Sequence, residues 1–326
     1  MRDISLLPQY TTVTCQTMCP GGSFYSACTE SGLISVWEVD SLLSNSSPKP
    51  LLSFAAHGEE PIYSLTSTEN FLISGGLGEV RGWCWNGFKT KTEKPAWSFH
   101  VGATGRSTQI NWIDLDRQAG SSGRVYVGCS DGNIYIYDLE TRRLDKVLTG
   151  HTQFVHCVAG ADGSGGVSLI SGGEDGDVKL WDTRKSNPLI HSFCPYLESE
   201  LNRPECGRFI STVCTAGDWL VCGGGPAASL WNLSTRIMSS RLPPDHGAVF
   251  ASNLIEDQIC IAGQNPMLHT SNFGGETCSA EKVSSGCIYS IVAQEEKGII
   301  LTAGSSSIID IFSLKNQEII KSFSIK

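Results

Sequence analysis

One phrase recurs along the whole chain: an apolar strand, a turn rich in glycine and aspartate, and a second apolar strand. Its most regular copy reads SLISGGEDGDVKLWDTR, from Ser168 to Arg184. Seven copies are found, and the residues at the position of the tryptophan are Trp37, Trp83, Tyr137, Trp181, Trp231, Ser271 and Phe312. Their spacing of 40 to 54 residues is near the roughly 40–45 residues of a four-stranded propeller blade. The pattern therefore predicts an all-β chain of repeated blades.

Polar residues of the most regular copy, in the fourth repeat, resemble the pattern of the WD40 family: His151, Ser171, Asp175, Trp181 and Asp182. In that family the histidine, hydroxyl, turn aspartate and tryptophan are hydrogen-bonded inside one blade. The resemblance covers the whole chain and implies a seven-bladed WD40 β-propeller. The first four of these side chains are then expected to form the structural network of blade 4. His57 and His246 are interpreted as the corresponding histidines of blades 2 and 6.

A propeller accommodates all 326 residues as one domain, residues 1–326. The expected blades span residues 11–55, 61–99, 108–148, 154–193, 208–242, 247–283 and 286–325. Because blades 1 and 7 can each be built from their own residues, we expect the ring to close by packing rather than by an exchanged strand. The alternative is that Ile4–Pro8 adds an edge strand. Irregular insertions are predicted at Ser41–Pro50, Asn86–Lys94, Arg117–Gly123 and Cys194–Gly207.

Composition narrows the range of partners and compartments. The net charge of −9 argues against direct binding of nucleic acid, because affinity for phosphates comes from clustered lysine and arginine. Thirteen cysteines without a CxxC pair indicate reduced thiols, and hence the cytosol or the nucleus. The opening MRDISLLPQYTTV lacks the pattern of a signal peptide, and no apolar run approaches the ~18 residues of a membrane helix. We therefore expect no membrane partner.

Motifs of catalysis are not found in the sequence. It contains no G-x-S-x-G elbow, HExxH pair, Walker loop or zinc-ligand spacing. The glycine-rich segments Gly160–Gly166 and Gly223–Gly225 are interpreted as turns. We expect a non-catalytic protein with no catalytic, cofactor-binding or metal-binding residues.

Charged residues sort by the end of the blade on which they fall. In each blade the joints after the first and third strands share one end, called the bottom, whereas the middle hairpin turn and the loops that join neighbouring blades lie at the top. The bottom joints of blades 2 to 4 hold Lys89, Lys91, Lys94, Arg117, Arg142, Arg143, Arg184 and Lys185. The top holds Glu30, Glu59, Glu60, Glu79, Asp131, Glu174, Asp175, Asp177, Glu198, Glu200 and Asp245. An acidic partner is expected at the bottom; the alternative is a chance scatter of surface charge.

Blade 4 ends in Trp181-Asp182-Thr183-Arg184. This is similar to the WDxR box of WD-repeat substrate receptors, which bind the propeller adaptor of cullin-four RING ubiquitin ligases. Asp182 would fix the strand end, and Arg184 would offer a planar pair of donors to a carboxylate of the adaptor. In the alternative structural role, Arg184 pairs with carboxylates of its own propeller.

Several longer segments resemble one WD40 subfamily, the WD-repeat subunit of the THO complex in its plant form. They include YSLTSTENFLISGGLGEVRGW, GRFISTVCTAGDWLVCGGGPAASLWNL and LTAGSSSIIDIF. The triple glycine is the most telling feature, since ordinary WD repeats have an aspartate in that turn. The resemblance implies a scaffold in the THO/TREX assembly of mRNA export that binds coiled-coil subunits. It implies the nucleus, with the cytoplasm as a second compartment; a ligase substrate receptor is the alternative function.

Overall fold

The computed structural model describes residues 11–102, 108–116, 123–162 and 164–325. Within these residues, 28 strands form seven four-stranded sheets. Each sheet consists of four strands consecutive in the chain and hydrogen-bonded in that order. The prediction of an all-β, seven-bladed propeller is confirmed.

The chain divides into two compact units, and Met1–Ser107 with Glu281–Lys326 form unit 1. Blade 1 contains β1 (Val13–Met18), β2 (Phe24–Thr29), β3 (Leu33–Glu38) and β4 (Leu52–Ala55). Blade 2 contains β5 (Ser64–Ser67), β6 (Phe71–Gly75), β7 (Glu79–Cys84) and β8 (Trp97–His100). Blade 7 contains β25 (Ile288–Gln294), β26 (Ile299–Gly304), β27 (Ile308–Ser313) and β28 (Ile319–Ser324).

Unit 2, Thr108–Ala280, contains the central blades, except for the last two residues of blade 6, which belong to unit 1. Blade 3 contains β9 (Ile110–Leu115), β10 (Arg124–Cys129), β11 (Ile134–Asp138) and β12 (Leu144–Leu148). Blade 4 contains β13 (Val155–Gly160), β14 (Leu169–Gly173), β15 (Val178–Trp181) and β16 (Leu189–Phe193). Blade 5 contains β17 (Ile210–Ala216), β18 (Trp219–Gly224), β19 (Ser229–Asn232) and β20 (Ile237–Arg241). Blade 6 contains β21 (Val249–Ile255), β22 (Gln258–Gly263), β23 (Met267–Ser271) and β24 (Thr277–Lys282). A compact unit does not have to fold on its own, so this division does not test the number of domains. One domain over residues 1–326 stays a prediction.

Burial within blade 4 explains the sequence pattern of the repeat. Every residue of β14 is buried, because neighbouring blades cover both faces of the middle strands. A strand covered on both faces is a continuous run of small and apolar residues rather than an alternating one. The outer strand β16 is only partly buried. The turn between β14 and β15 contains Gly176 at φ +85, a left-handed conformation that glycine adopts without a steric penalty.

Blades 7 and 1, both in unit 1, join by side-chain packing. Phe323 of β28 packs edge-on against Tyr25 and Trp37 of blade 1, with ring centroids 6.4 and 5.5 Å apart. The side-chain amide of Gln16 donates to the carbonyls of Ser290 and Leu301, both at 2.9 Å. No strand is exchanged between the two sheets among the described residues. The alternative edge strand at Ile4–Pro8 lies outside the described residues.

Two of the predicted irregular insertions overlap short α-helices. Helix α1 (Val39–Ser44) and helix α2 (Trp85–Lys89) lie in the joints between the third and fourth strands of blades 1 and 2. Each buries two apolar residues three positions apart: Val39 with Leu42, and Trp85 with Phe88. That spacing puts both side chains on one face of a helix. The two helices were not predicted from the sequence because the first apolar residue of each pair precedes the insertion, so the spacing within the pair was not noticed.

Candidate functional site

The side chains predicted to form the network of blade 4 are in contact and buried. The indole N–H of Trp181 donates to Ser171 Oγ at 2.9 Å. His151 lies between the other two groups: Nε2 is 2.8 Å from Ser171 Oγ, and Nδ1 is 2.9 Å from Asp175 Oδ1. Burial opposes the charge on Asp175, but hydrogen bonds from His151 and from the main chain lower its pKa to about 2.

These contacts determine which group donates each proton. Ionised Asp175 accepts only, so His151 Nδ1 carries a proton and donates it. In the neutral ring Nε2 then accepts the hydroxyl proton of Ser171, whose oxygen accepts from Trp181. The order of donation is therefore tryptophan to serine to histidine to aspartate. Every buried polar group in this series has a partner, which is the condition for a polar network to stabilise a core.

Other blades keep only parts of this network. In blade 2, His57 Nε2 is 2.7 Å from Ser74 Oγ, but the Trp83 N–H donates to the carbonyl of Glu93 at 3.4 Å. In blade 1 the N–H of Trp37 is buried without an acceptor among the described residues. The strand register explains this difference, because Ala27 occupies the place that Ser171 has in blade 4.

The interpretation of His246 as a blade histidine is wrong. Its side chain is exposed, and its carbonyl accepts from the side chain of Asn265 at 2.7 Å. In blade 6 a glutamine, not a histidine, fixes the joint before β21: the main-chain N–H of Ala248 donates to the side-chain carbonyl of Gln264 at 3.1 Å. A glutamine side chain thus binds the joint before β21, and the ring of His246 stays in solvent.

The WDxR box has a buried carboxylate and an exposed arginine. The side chain of Asp182 is 3% exposed and that of Arg184 is 59% exposed. The Arg184 guanidinium donates from Nε to Asp182 Oδ1 at 2.7 Å and from Nη2 to Oδ2 at 3.0 Å. These hydrogen bonds hold the pKa of Asp182 at about 2. The bidentate edge of Arg184 is therefore occupied by its own blade, which is the arrangement expected of the structural role.

The basic residues of blade 2 lie together in unit 1, on and after helix α2. Lys91 and Lys94 are exposed, and the ammonium group of Lys89 lies 5.5 Å from the ring centroid of Phe24. Lys94 also lines a cavity of about 230 Å³ with Trp83, Thr92 and Pro95 among its walls. The joint thus combines positive charge with a small apolar recess.

The basic residues of blades 3 and 4 lie in unit 2. Arg142 and Arg143 are exposed in the turn between β11 and β12. Lys146 of β12 donates to the carbonyls of Thr183 and Lys185, at 2.6 and 3.0 Å, and so ties the outer strand of blade 3 to the WDxR loop of blade 4. Four cations therefore lie in adjacent bottom joints of this unit: Arg142, Arg143, Arg184 and Lys185. Arg117 lies outside the described residues.

Several of the carboxylates expected to make the top acidic are neutralised inside their blades. Glu79 pairs with Arg81, Asp177 pairs with Lys179, both at 2.6 Å, and Asp175 is held by His151. Their side chains stabilise hairpin turns instead of facing a partner. In unit 2 the bottom is also mixed in sign, since Asp218, Glu256 and Asp257 lie in first-to-second strand joints. The positive charge is concentrated in the outer joints, between the third and fourth strands.

Sequence reasoning missed the exposure of several large apolar side chains in unit 2, two of which lie in joints between strands. Phe154 is exposed beside a cavity of about 330 Å³ whose walls include Asp131 and Glu174. Leu197 is exposed on the insertion between blades 4 and 5. Large exposed apolar side chains have no periodic signal in a sequence, because only the fold shows which strand residues lack a neighbour.

Three structural features bear on metal binding, membrane insertion and disulfide formation in the described part of the chain. No group of three or more His, Cys, Asp or Glu side chains there is placed to hold a metal ion. No helix of that part is long and apolar enough to cross a membrane. The thirteen cysteines form no disulfide, and burial raises the pKa of Cys15 to about 11, so its thiol stays neutral.

Comparison with known proteins gives matches along almost the whole chain. The family model "WD domain, G-beta repeat" matches residues 142–182. The THO complex subunit 6 homolog of Danio rerio is 33% identical, over 93% of this chain and 94% of its own length. THO complex subunit 6 of Homo sapiens is 32% identical, over 93% and 89%. THO complex subunit 6 of Arabidopsis thaliana is 26% identical, over 74% and 67%. The resemblance thus extends to animal relatives, which match more of the chain than the Arabidopsis protein.

Proposed function

Because the chain belongs to the THO complex subunit 6 family of WD40 β-propeller proteins, we propose that it is a non-catalytic scaffold subunit of a THO/TREX complex. Its proposed role is to hold other subunits of the assembly that couples mRNA processing to export. The observation that carries the proposal is the match over 93% of this chain and 94% of the zebrafish relative. A match of that extent includes the blades and the joints between them.

The architecture supports a scaffold role on physical grounds. Each blade is a closed set of four paired strands, and binding residues concentrate in the loops that such a rigid framework positions. Preorganised loops bind a partner without first losing conformational entropy. The chain is acidic overall, with a net charge of −9, so we propose proteins rather than RNA as its direct partners.

We further propose coiled-coil subunits of the complex as the partners, bound through the basic outer joints. The candidate binding residues are Lys89, Lys91 and Lys94 of blade 2, and Arg142, Arg143 and Arg184 of blades 3 and 4; buried Asp182 takes part by holding the side chain of Arg184. Coiled coils often carry glutamate and lysine at the positions that flank their apolar seam, so we propose an acidic stretch of such a surface as the bound region. Exposed lysines and arginines attract such a surface during encounter.

The proposed compartment is the nucleus, and one experiment tests compartment and complex together. The tagged protein is purified from separate nuclear and cytoplasmic extracts, and the bound proteins are identified by mass spectrometry. We expect THO subunits in stoichiometric amounts from the nuclear extract. Absence of THO subunits from both extracts, with the tagged protein folded, would contradict the proposal.

The ligase receptor is not the function that we propose, because it depends on the WDxR box alone. The bidentate edge of Arg184 is bound to Asp182, and no separate feature of the site points to a ligase adaptor. Arg184→Ala separates the two hypotheses. For a scaffold that binds through the basic outer joints we expect Arg184→Ala to weaken retention of a THO subunit, whereas a receptor would lose the cullin adaptor and keep the THO subunits.

A further inference from the structure

The joint between blades 4 and 5 is longer than a connection of neighbouring blades requires. In unit 2, residues 149–154 suffice between β12 and β13, and residues 242–248 between β20 and β21. Between β16 and β17 the chain uses residues 194–209. This segment, here called the 194–209 insertion, contains short 3-10 turns at Pro195–Leu197 and Pro204–Cys206. Its extra residues therefore serve something other than connection.

A buried arginine holds this insertion in place. The side chain of Arg203 is nearly inaccessible, with 6% of the residue exposed. Its guanidinium donates to the carbonyls of Gly225 at 3.1 Å, Pro226 at 2.8 Å and Pro244 at 3.3 Å. Burial lowers the pKa of Arg203, and a buried charge is tolerated only when its donors are satisfied. The planar donor geometry of arginine suits three carbonyls that face it from different directions.

The triple-glycine turn of blade 5 is the surface against which the insertion lies. The N–H of Gly225 donates to the carbonyl of Phe209, and that of Ala227 donates to the carbonyl of Leu201, both at 2.9 Å. A Cβ atom on Gly225 would lie 2.2 Å from the carbonyl oxygen of Gly207. Glycine at this position is therefore required by the close approach of the insertion.

One large apolar side chain projects from this fixed segment. Leu197 is 71% exposed, the highest value among the large hydrophobic residues of the described chain. The neighbouring Tyr196 packs close to Gly176 of the blade 4 hairpin, and Leu201 is buried in the core of blades 4 and 5. The segment on either side of Leu197 is thus anchored, and the leucine itself has no such cover.

Negatively charged residues follow the exposed leucine along the insertion. Glu198 and Glu200 are exposed, as is Glu205 further along the insertion. Arg208 is the exposed cation of the segment, since Arg203 is buried. An apolar anchor followed by carboxylates is complementary to an apolar cleft that basic residues border.

We propose that the 194–209 insertion is a docking element in which Leu197 enters an apolar cleft, rimmed by lysine or arginine, on another THO subunit. The proposal rests on the proposed membership of the THO complex. It assigns a second surface of unit 2, separate from the basic outer joints, and a partner of opposite charge. The fixed conformation of the insertion favours binding, because little entropy is lost when a preorganised loop binds.

The test compares Leu197→Ser with Ile237→Ser in a complex reconstituted from the full chain and the other THO subunits. Ile237 is the matched control, because it is 65% exposed on outer strand β20 of the same unit. We expect Leu197→Ser to weaken retention of a THO subunit about tenfold or more, as for an interface anchor, and Ile237→Ser to leave it unchanged. Glu198→Lys with Glu200→Lys should weaken the same subunit and reduce the salt dependence of its binding.

Each outcome decides between the hypotheses. Equal retention by the wild type and Leu197→Ser, or an equal loss with Ile237→Ser, overturns the docking role while leaving THO membership intact. Failure of the wild-type chain to retain any THO subunit overturns the proposed function and this inference with it. Should Leu197→Ser melt at a lower temperature than the wild type, the glutamate reversals decide, because their side chains are in solvent.

Discussion

The indole N–H of a blade tryptophan has four different environments in this protein, and the differences depend on single residues. Trp181 donates to a hydroxyl on the neighbouring strand, Trp231 to the hydroxyl of Ser229 on its own strand, and Trp83 to a distant carbonyl. Trp37 has no acceptor in the described structure. All four rings are buried, so the repeat retains the burial of the ring, whereas the acceptor of its N–H differs from blade to blade.

Replacement of Trp181 by alanine tests how much the complete network contributes. We expect Trp181→Ala to lower the free energy of unfolding by about 3–5 kcal/mol, the range for loss of a large aromatic side chain from a core. Trp181→Phe should cost less, since it keeps most of the ring and loses the hydrogen bond to Ser171. Chemical denaturation of both variants measures the difference, and a loss below about 1 kcal/mol for the alanine variant would show that the ring is not packed as described.

His57 gives the protein a predictable sensitivity to acid. Burial first, and the positive charge of Arg81 second, lower its pKa from 6.5 to about 4 in the folded state. Between these pH values the histidine is protonated in the unfolded chain and neutral in the folded chain. The free energy of unfolding therefore decreases as pH falls from about 6.5 to about 4, and below that range His57 causes no further decrease. We expect His57→Gln to reduce this slope in urea midpoints measured across the range. An unchanged slope in His57→Gln would contradict the prediction.

At the scale of secondary structure elements, the repeat could be predicted from sequence and the joints could not. The apolar strands and the Gly176 turn follow from local patterns, because buried middle strands need small or apolar residues and the turn needs a left-handed residue. Helix α2 depends on the residues that cover its apolar face. The exposure of His246 depends on Gln264, which binds the joint before β21. The partners of Arg184 and Arg203 likewise depend on loop conformations that no periodicity encodes. Position in a repeat therefore predicts a side chain's environment only where the repeat is regular.

The triple-glycine turn allows a sharp test of the 194–209 insertion. A Cβ on Gly225 would lie 2.2 Å from a main-chain oxygen, whereas one on Gly21 would meet no atom within 4 Å. We expect Gly225→Ala to destabilise the protein by about 1–3 kcal/mol, as overpacking does, and Gly21→Ala to be close to neutral. Limited proteolysis should also cut the Gly225→Ala variant faster within residues 194–209. Equal cleavage of both variants would contradict the close packing of the insertion on this turn.

At the scale of the whole molecule, local concentrations of positive charge stand against a net charge of −9. Such concentrations of charge change the association rate of a partner more than its dissociation rate. We expect Lys91→Glu and Arg143→Glu each to slow association with an acidic THO subunit and to flatten the dependence of the association rate on salt. Lys282→Glu makes the same charge change at an exposed residue outside the basic outer joints. Slowing of the same size in all three variants would indicate an effect of net charge alone, contrary to the proposed site.

The packing of blade 7 on blade 1 has a consequence for the way the protein is made. Chains emerge from the ribosome N-terminus first, so blade 1 can complete its own four-stranded sheet early. Its apolar flank, with Val13, Tyr25 and Trp37, is covered by Leu301 and Phe323 of blade 7, which are translated only after the five blades in between. The flank therefore stays exposed to solvent while those blades are synthesised. We expect chaperones that bind nascent chains to recognise this apolar surface during that interval.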